Sequence, residues 1–124
     1  MQDTQKMFWK RFLGIFGENK AEKFLKRKGF KIIKRNYRCR YGEIDIIAKD
    51  KGVISFVEVK TVATNAAETP YNTVNSRKKG HISRSALFYL KEKGLNEADC
   101  RFDMIAVKYK EGKEPDIELI KGAF

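Results

Sequence analysis

Three side chains near the middle of the chain, Asp45, Glu58 and Lys60, have the types and spacing of a metal-assisted hydrolytic site. Gly42-Glu43-Ile44-Asp45-Ile46-Ile47-Ala48 is followed, after a short polar turn, by Ser55-Phe56-Val57-Glu58-Val59-Lys60. Both runs are rich in Ile, Val and Phe and read as strands, and Lys51-Gly52 suits a two-residue hairpin loop. That loop sets Asp50 opposite Val53, Ile46 opposite Val57 and Ile44 opposite Val59. On the other face Ile47 meets Phe56, Asp45 meets Glu58 and Glu43 meets Lys60. A slip of one residue would mix the two faces and spoil the apolar pattern, so the pattern selects the register. Two carboxylates directly opposite each other repel by a few tenths to about 1 kcal/mol. A hard divalent cation between them removes that cost. Mg²⁺ (or Mn²⁺) favours oxygen ligands, takes one or two carboxylates and keeps waters. Such an ion lowers the pKa of a bound water and neutralises charge on a phosphoryl oxygen. Lys60 follows Glu58 by two residues and projects from the same face, where an ammonium can steady negative charge in a transition state. The competing reading is a salt-bridged polar face, with Glu43 on Lys60 and Asp45 on a distant Arg.

The elements around this hairpin follow from apolar periodicity. Residues from about Thr4 to Lys28 read as helical: Phe8, Phe12, Ile15 and Phe16 begin a stripe that Ala21, Phe24 and Leu25 continue. Gly14 and Gly17 are expected to break it into two helices, and Gly29 to stop it. Phe30 to Arg35 reads as a short strand, Glu43 to Lys49 and Val53 to Thr61 as stronger ones, and Val62 to Thr73 as a loop. A second helix is expected from Ser76 to Lys93, with Ile82, Ala86, Tyr89 and Leu90 on one side. Phe102 to Tyr109 reads as a covered central strand, and Ile117 to Ile120 as an edge strand. Glu18 lies at the border of the first helix's apolar stripe. It either reaches over the sheet as a third carboxylate or simply favours the dipole of a helix beginning after Gly17. Phe8, Trp9 and Phe12 are expected in helical core packing, with a partner-binding face as the alternative. His81 is expected to pack on its helix, and Asp103 to hold Arg101 or a backbone group.

The chain has 124 residues, 42% of them hydrophobic and 35% charged, which fits one α/β domain spanning residues 1–124. Cys39 and Cys100 stand apart without the spacing of a zinc ribbon, and no apolar run is long enough for a membrane span. The first residues lack the form of a secretion signal, and the two isolated thiols make a reducing cytoplasm the expected setting. Lys and Arg number 27 against 16 Asp and Glu, a net charge of +11 that draws polyanions. The excess is concentrated: Lys20 to Arg40 holds ten basic residues and only Glu22 as an acid. Arg35, Arg38, Arg40 and Tyr41 are therefore candidates for nucleic-acid contact, because guanidinium groups mixed with rings can grip phosphates and stack on bases. Arg77 and Lys79, with Lys78 between them, form a second basic group at the start of the second helix.

Taken together, these stretches resemble the YraN-like proteins, a bacterial group placed with the PD-(D/E)xK nuclease superfamily of restriction enzymes and archaeal Holliday-junction resolvases. The likeness runs in order through Gly17-Glu18-Asn19-Lys20-Ala21, Arg35-Asn36-Tyr37-Arg38, Gly42 to Ala48, Phe56 to Lys60, Arg77-Lys78-Lys79 and Arg101-Phe102-Asp103. It implies a restriction-endonuclease-like αβββαβ core, with a mixed sheet flanked by helices. It implies metal ligation by Asp45 and Glu58 with the Val59 carbonyl, Lys60 as the catalytic lysine, and Glu18 as the helix carboxylate. Lys78 would meet a substrate phosphate. Glu43-Ile44 stands before the first acid where the superfamily has Pro, leaving Glu43 as either an extra ligand or a partner of Lys60. The expected function is a metal-dependent endonuclease acting on DNA, branched or structured DNA included, and a homodimer follows by analogy with the resolvases. The alternative is a module on the same fold that binds nucleic acid without cutting it.

Overall fold

The computed structural model describes residues 3–63 and 76–124; of Asp3 and residues 76–78 it describes the backbone only. The order is α1 (Asp3–Arg27), β1 (Lys31–Cys39), β2 (Gly42–Asp50), β3 (Val53–Ala63), α2 (Ser76–Glu92), β4 (Cys100–Tyr109) and β5 (Asp116–Ile120). The strands form one sheet in the order β1-β2-β3-β4-β5. Only β3 and β4 run parallel; the other neighbours are antiparallel. This is the mixed sheet with flanking helices expected of a restriction-endonuclease-like α/β fold.

Each helix covers one face. Ala21 and Leu25 of α1 pack with Phe30 on Ile46, Ala48, Val57, Ile105 and Val107. Ala86, Tyr89 and Leu90 of α2 pack on Tyr37, Ile44, Ile47, Ile54 and Phe56. The central strands are buried on both sides, which is why β4 reads as a nearly continuous apolar run. The loop Val62–Thr73 begins later than expected, since β3 continues to Ala63; residues 64–75 lie outside the described residues. β1 is longer than the expected Phe30–Arg35 strand. It continues through basic residues to Cys39 and turns at Arg40-Tyr41, with Cys39 paired to Gly42.

Helix α1 is a single 25-residue helix, and neither internal glycine breaks it. Gly17 serves close approach instead: a Cβ built there would lie 1.8 Å from Thr61 Oγ1 and 3.0 Å from Thr61 Cβ. The helix ends where expected. Phe30 N–H bonds the Leu25 carbonyl at 2.9 Å across Gly29, whose φ of 92° is the left-handed cap conformation. The first turns depart from the expected core packing, for Phe8 is 70% and Phe12 45% exposed. There the rings of Trp9, Phe12 and Phe16 stack in succession and gather around the Tyr109 ring, 5.2–5.8 Å away, and Phe16 also packs against the core. Among the described residues no helix is long and apolar enough to cross a membrane.

A buried ionic network closes the end of the sheet near the β2–β3 turn. Asp103, with no exposed surface, accepts from Ser55 Oγ, from Arg101 Nε at 2.7 Å and from Gly122 N–H at 2.9 Å. Arg101 also bonds Asp50 at 2.9 Å, and Lys121 lies 3.0 Å from the same carboxylate. Asp103 therefore has the structural role expected of it. Lys121 and Arg101 hold the Asp50 pKa below the usual aspartate value against the opposing effect of burial.

Candidate active site

The β2–β3 hairpin has the register that the apolar pattern selects. Pairing runs from Asp50 opposite Val53, through Lys49 and Ile54, Ala48 and Ser55, Ile47 and Phe56, to Ile46 opposite Val57. Lys51 and Gly52 take φ of 50° and 87°, the left-handed pair a tight two-residue turn needs. The ladder stops at Ile46 and Val57, and the chemistry begins there. In an antiparallel ladder every second pair exchanges both backbone hydrogen bonds. The next exchanging pair would be Ile44 and Val59. Instead, Val59 N–H donates to Asp45 Oδ2 at 2.8 Å. The Asp45 carboxylate has taken the place of a backbone acceptor at the point where β2 and β3 part.

A kink in β2 accompanies this. Ile46 and Ala48 face α1, whereas Ile44 faces α2 together with Ile47. The same change of side occurs on β1: Arg35 pairs with Ile46 and Tyr37 with Ile44, and between them Asn36 has a left-handed φ of 52°. This corrects the regular hairpin expected beyond Ile46. Ile44 and Ile46 do not share a face, and the ladder does not set Asp45 against Glu58 or Glu43 against Lys60. Glu43 instead pairs with Arg38 on β1 at 3.3 Å. The physical reason is that one residue's change of side at Asp45 frees its carboxylate to cap the neighbouring strand, which a strict alternation would forbid.

Glu58 and Lys60 alternate with Val57 and Val59 and so share the side of the sheet on which Phe56 lies. Glu58 is buried at 5% exposure, and Lys60 is half-buried. In an extended strand the N–H and C=O of one residue point to the same edge. The Val59 carbonyl therefore faces the gap in which its N–H meets Asp45. These donors, two carboxylates and a carbonyl, are hard oxygens of the type that suits Mg²⁺ or Mn²⁺. Among the described residues no three His, Cys, Asp or Glu side chains gather into a ready-made cage. Glu18 is turned to Arg35, 3.4 Å from its guanidinium, and Arg35 also reaches Asn19 at 2.8 Å and Glu22 at 3.7 Å.

The basic candidates divide in two. Arg35 is a half-buried strut between β1 and α1, its Nε buried without a hydrogen-bond partner. Arg38, Arg40 and Lys79 are exposed. Arg40 lies over the Tyr41 ring, 4.9 Å from its centre, and donates to its hydroxyl at 2.7 Å. Arg77 and Lys78 open α2, but their side chains lie outside the described residues. His81 is half-buried on α2 with its Cβ toward Gly42, a packing position. Tyr37, below the exposed Arg38, has its pKa pushed up to about 12 by burial and then by Glu92, which it meets at 3.5 Å. Sequence reasoning missed Arg84, Leu87, Phe88 and Lys91, which face Arg40 and Tyr41 across a cleft of about 630 Å³. The available signal was Leu87, an apolar residue off the buried side of α2 and 59% exposed.

Residues 17–107 match the family model described as uncharacterised protein family UPF0102. A UPF0102 protein of Desulfosudis oleivorans is 46% identical over 111 residues, covering 90% of this chain and 88% of the relative. One of Trichlorobacter lovleyi is 45% identical over 113 residues, covering 90% and 89%. One of Geobacter sulfurreducens is 42% identical over 114 residues, covering 92% and 89%. The matched region runs from the glycine that seats α1 on β3, through the parted strands at Asp45 and Val59, to the last buried valine of β4. The chain therefore belongs to the UPF0102 (YraN) family of the restriction-endonuclease-like superfamily.

Proposed function

We propose that the chain is a metal-dependent endonuclease that hydrolyses phosphodiester bonds in DNA, with branched or otherwise structured DNA as its substrate class. The observation that carries this reading is the Asp45 carboxylate held on Val59 N–H where β2 and β3 part, with buried Glu58 and Lys60 on either side of Val59. In an unbroken ladder the Ile44 carbonyl would accept from the same N–H, so strand pairing alone does not call for a carboxylate there. Asp45, Glu58 and the Val59 carbonyl would hold Mg²⁺ or Mn²⁺, which when bound activates water and offsets charge on the phosphoryl group. The bond between Val59 N–H and Asp45 fixes one carboxylate oxygen and so limits the orientations of the other. Lys60 supplies an ammonium toward the phosphoryl oxygens as their charge grows. Water adds to phosphorus, the P–O bond to the leaving nucleoside breaks, and that oxygen takes up a proton to leave a hydroxyl and a phosphate monoester. Glu18, the helix carboxylate that the family resemblance implies, is engaged by Arg35 on the α1 side of the sheet and would join the other two only from there. The exposed cations around Arg38, Arg40 and Lys79, with Arg77 and Lys78, hold the backbone.

The test is cleavage of duplex, single-stranded, flap and four-way DNA with Mg²⁺ or Mn²⁺, for the wild type and for Asp45→Asn, Glu58→Gln and Lys60→Met. Asn at position 45 can still accept from Val59 N–H, so the strand end is kept while the charge is lost. Each substitution is expected to slow cleavage by about 100-fold or more. Cleavage by Asp45→Asn at the wild-type rate refutes the site. Binding that survives chelator, with no product from any of these DNAs, transfers the chain to the binding-module reading.

A further inference from the structure

We infer that the cleft between the β1–β2 turn and the outer face of α2 is a binding site for an unpaired nucleic-acid strand, with one base stacked on Tyr41. The inference rests on nucleic acid being the partner, but not on cleavage. The cleft, about 630 Å³, is lined by Arg40, Tyr41, Arg84, Leu87, Phe88 and Lys91. A second cavity of about 460 Å³ continues along the outer edge of β1 and brings in Lys34, Arg38 and Lys93. Glu92 borders both, and its carboxylate is engaged by the Tyr37 hydroxyl. Among the described residues β1 has a neighbour on one side only, and six cations, three from β1 and its turn and three from α2 and the turn after it, line the two cavities beside it.

The apolar part of the cleft decides what kind of polyanion fits. Tyr41 and Phe88 meet with ring centres 6.0 Å apart, and the Arg40 guanidinium lies against the Tyr41 ring. Leu87 stands 59% exposed beside them, although the buried side of α2 has no need of it. Rings, a guanidinium plane and an exposed leucine next to a line of cations match a base stacked on a platform with its phosphates tracked along a groove. A duplex keeps its bases stacked on one another and cannot offer a free face, so the occupant is a strand that has left its partner. Tyr41 lies four residues before Asp45 on the same hairpin arm, about 13 Å at the rise of a strand. A strand entering the cleft thus runs within a few nucleotides of the carboxylates, which points to DNA in which single and double strands adjoin.

The test is fluorescence of an oligothymidylate carrying one 2-aminopurine, titrated with protein in EDTA, beside a blunt hairpin duplex with the same probe in its stem. Stacking on Tyr41 quenches the single-stranded probe and leaves the duplex probe unchanged. Tyr41→Ala is expected to weaken single-strand binding about 10-fold and abolish the quench. Leu87→Glu, on an exposed position that folding does not require, is expected to do the same. Joint replacement of Arg84 and Lys91 by Gln lowers the salt slope of single-strand binding by about 1.4. Wild-type binding and quenching by both Tyr41→Ala and Leu87→Glu overturns the inference, as does equal quenching of the duplex probe. Because the titration excludes metal, a failed cleavage screen would sink the hydrolytic reading and leave this one standing.

Discussion

Two glycines three residues apart on α1 are expected to respond to alanine with opposite signs. At Gly14 a new Cβ meets nothing within 4 Å, so Gly14→Ala gains helix propensity and is expected to stabilise by up to about 1 kcal/mol. At Gly17 the same atom would lie 1.8 Å from Thr61 Oγ1. Rotating Thr61 removes that contact but not the one to its Cβ at 3.0 Å, so the helix itself must lift from β3. Overpacking of this kind costs about 1–3 kcal/mol. After the same gain of about 1 kcal/mol in propensity, Gly17→Ala is expected to show a net loss of up to about 2 kcal/mol. Urea denaturation followed by circular dichroism measures both, with the shift in midpoint at constant slope read as stability. Adding Thr61→Ala to Gly17→Ala should recover part of the loss and give a coupling energy above about 0.5 kcal/mol in a double-mutant cycle. Gly17→Ala as stable as Gly14→Ala, or additivity with Thr61→Ala, refutes the close-approach argument.

The buried ionic network gives a pH signature. Asp50 is held below its ordinary 3.8 by Lys121 and Arg101, so its contribution is complete above that value and is lost as pH falls through the lower folded-state value. Asp50→Asn is expected to cost about 1–2 kcal/mol at pH 7 and progressively less below pH about 4, measured by denaturant titration at each pH; a cost independent of pH contradicts the assignment. Arg35→Met removes the strut to Glu18, Asn19 and Glu22 and is expected to lower stability by about 1–3 kcal/mol. It should leave the salt slope of DNA binding within error of wild type, and a slope reduced by about 0.7 or more would make Arg35 a phosphate contact after all.

The hairpin was legible because two independent constraints agree on it. Lys51-Gly52 tolerates the left-handed turn, and only one register keeps the apolar residues of both strands on consistent faces as far as Ile46. Beyond Ile46 the sequence is ambiguous for a physical reason: Ile44, Ile46 and Ile47 can serve either face, so their pattern does not reveal a change of side at Asp45. The paired irregularity at Asn36 is equally hidden, although Asn tolerates the left-handed conformation better than most residues. The full length of β1 was missed because an edge strand shows solvent on one side and need not alternate cleanly. The continuity of α1 was missed because a glycine's role as a contact surface depends on Thr61, which is distant in sequence. Glu18, Asp45 and Glu58 were recognisable as acids near an apolar framework, but not the ion pair that turns Glu18 to Arg35.

A net charge of +11 is a statement about the whole chain, and burial divides it into parts with different work. Arg35 and Arg101 spend their guanidinium groups on internal carboxylates, where the planar fork holds β1 to α1 and β4 to the β2–β3 turn. They account for some of the basic excess yet offer little to a ligand. Arg40, Arg84 and Lys91 are set around rings and an exposed leucine between the β1–β2 turn and the outer face of α2, where a cation adds nothing to the core. The acids divide in the same way: Asp50 and Asp103 answer buried cations, while Asp45 answers a backbone N–H that β2 could have satisfied without it. Two groups of polar and aromatic residues are joined by the first half of β2, the carboxylates at the parted strands and the cations and rings at the hairpin tip; the exposed Phe8 and Phe12 are a further group on α1. Under the proposed function, that adjacency places the substrate at this end of the sheet, which the total charge alone does not do.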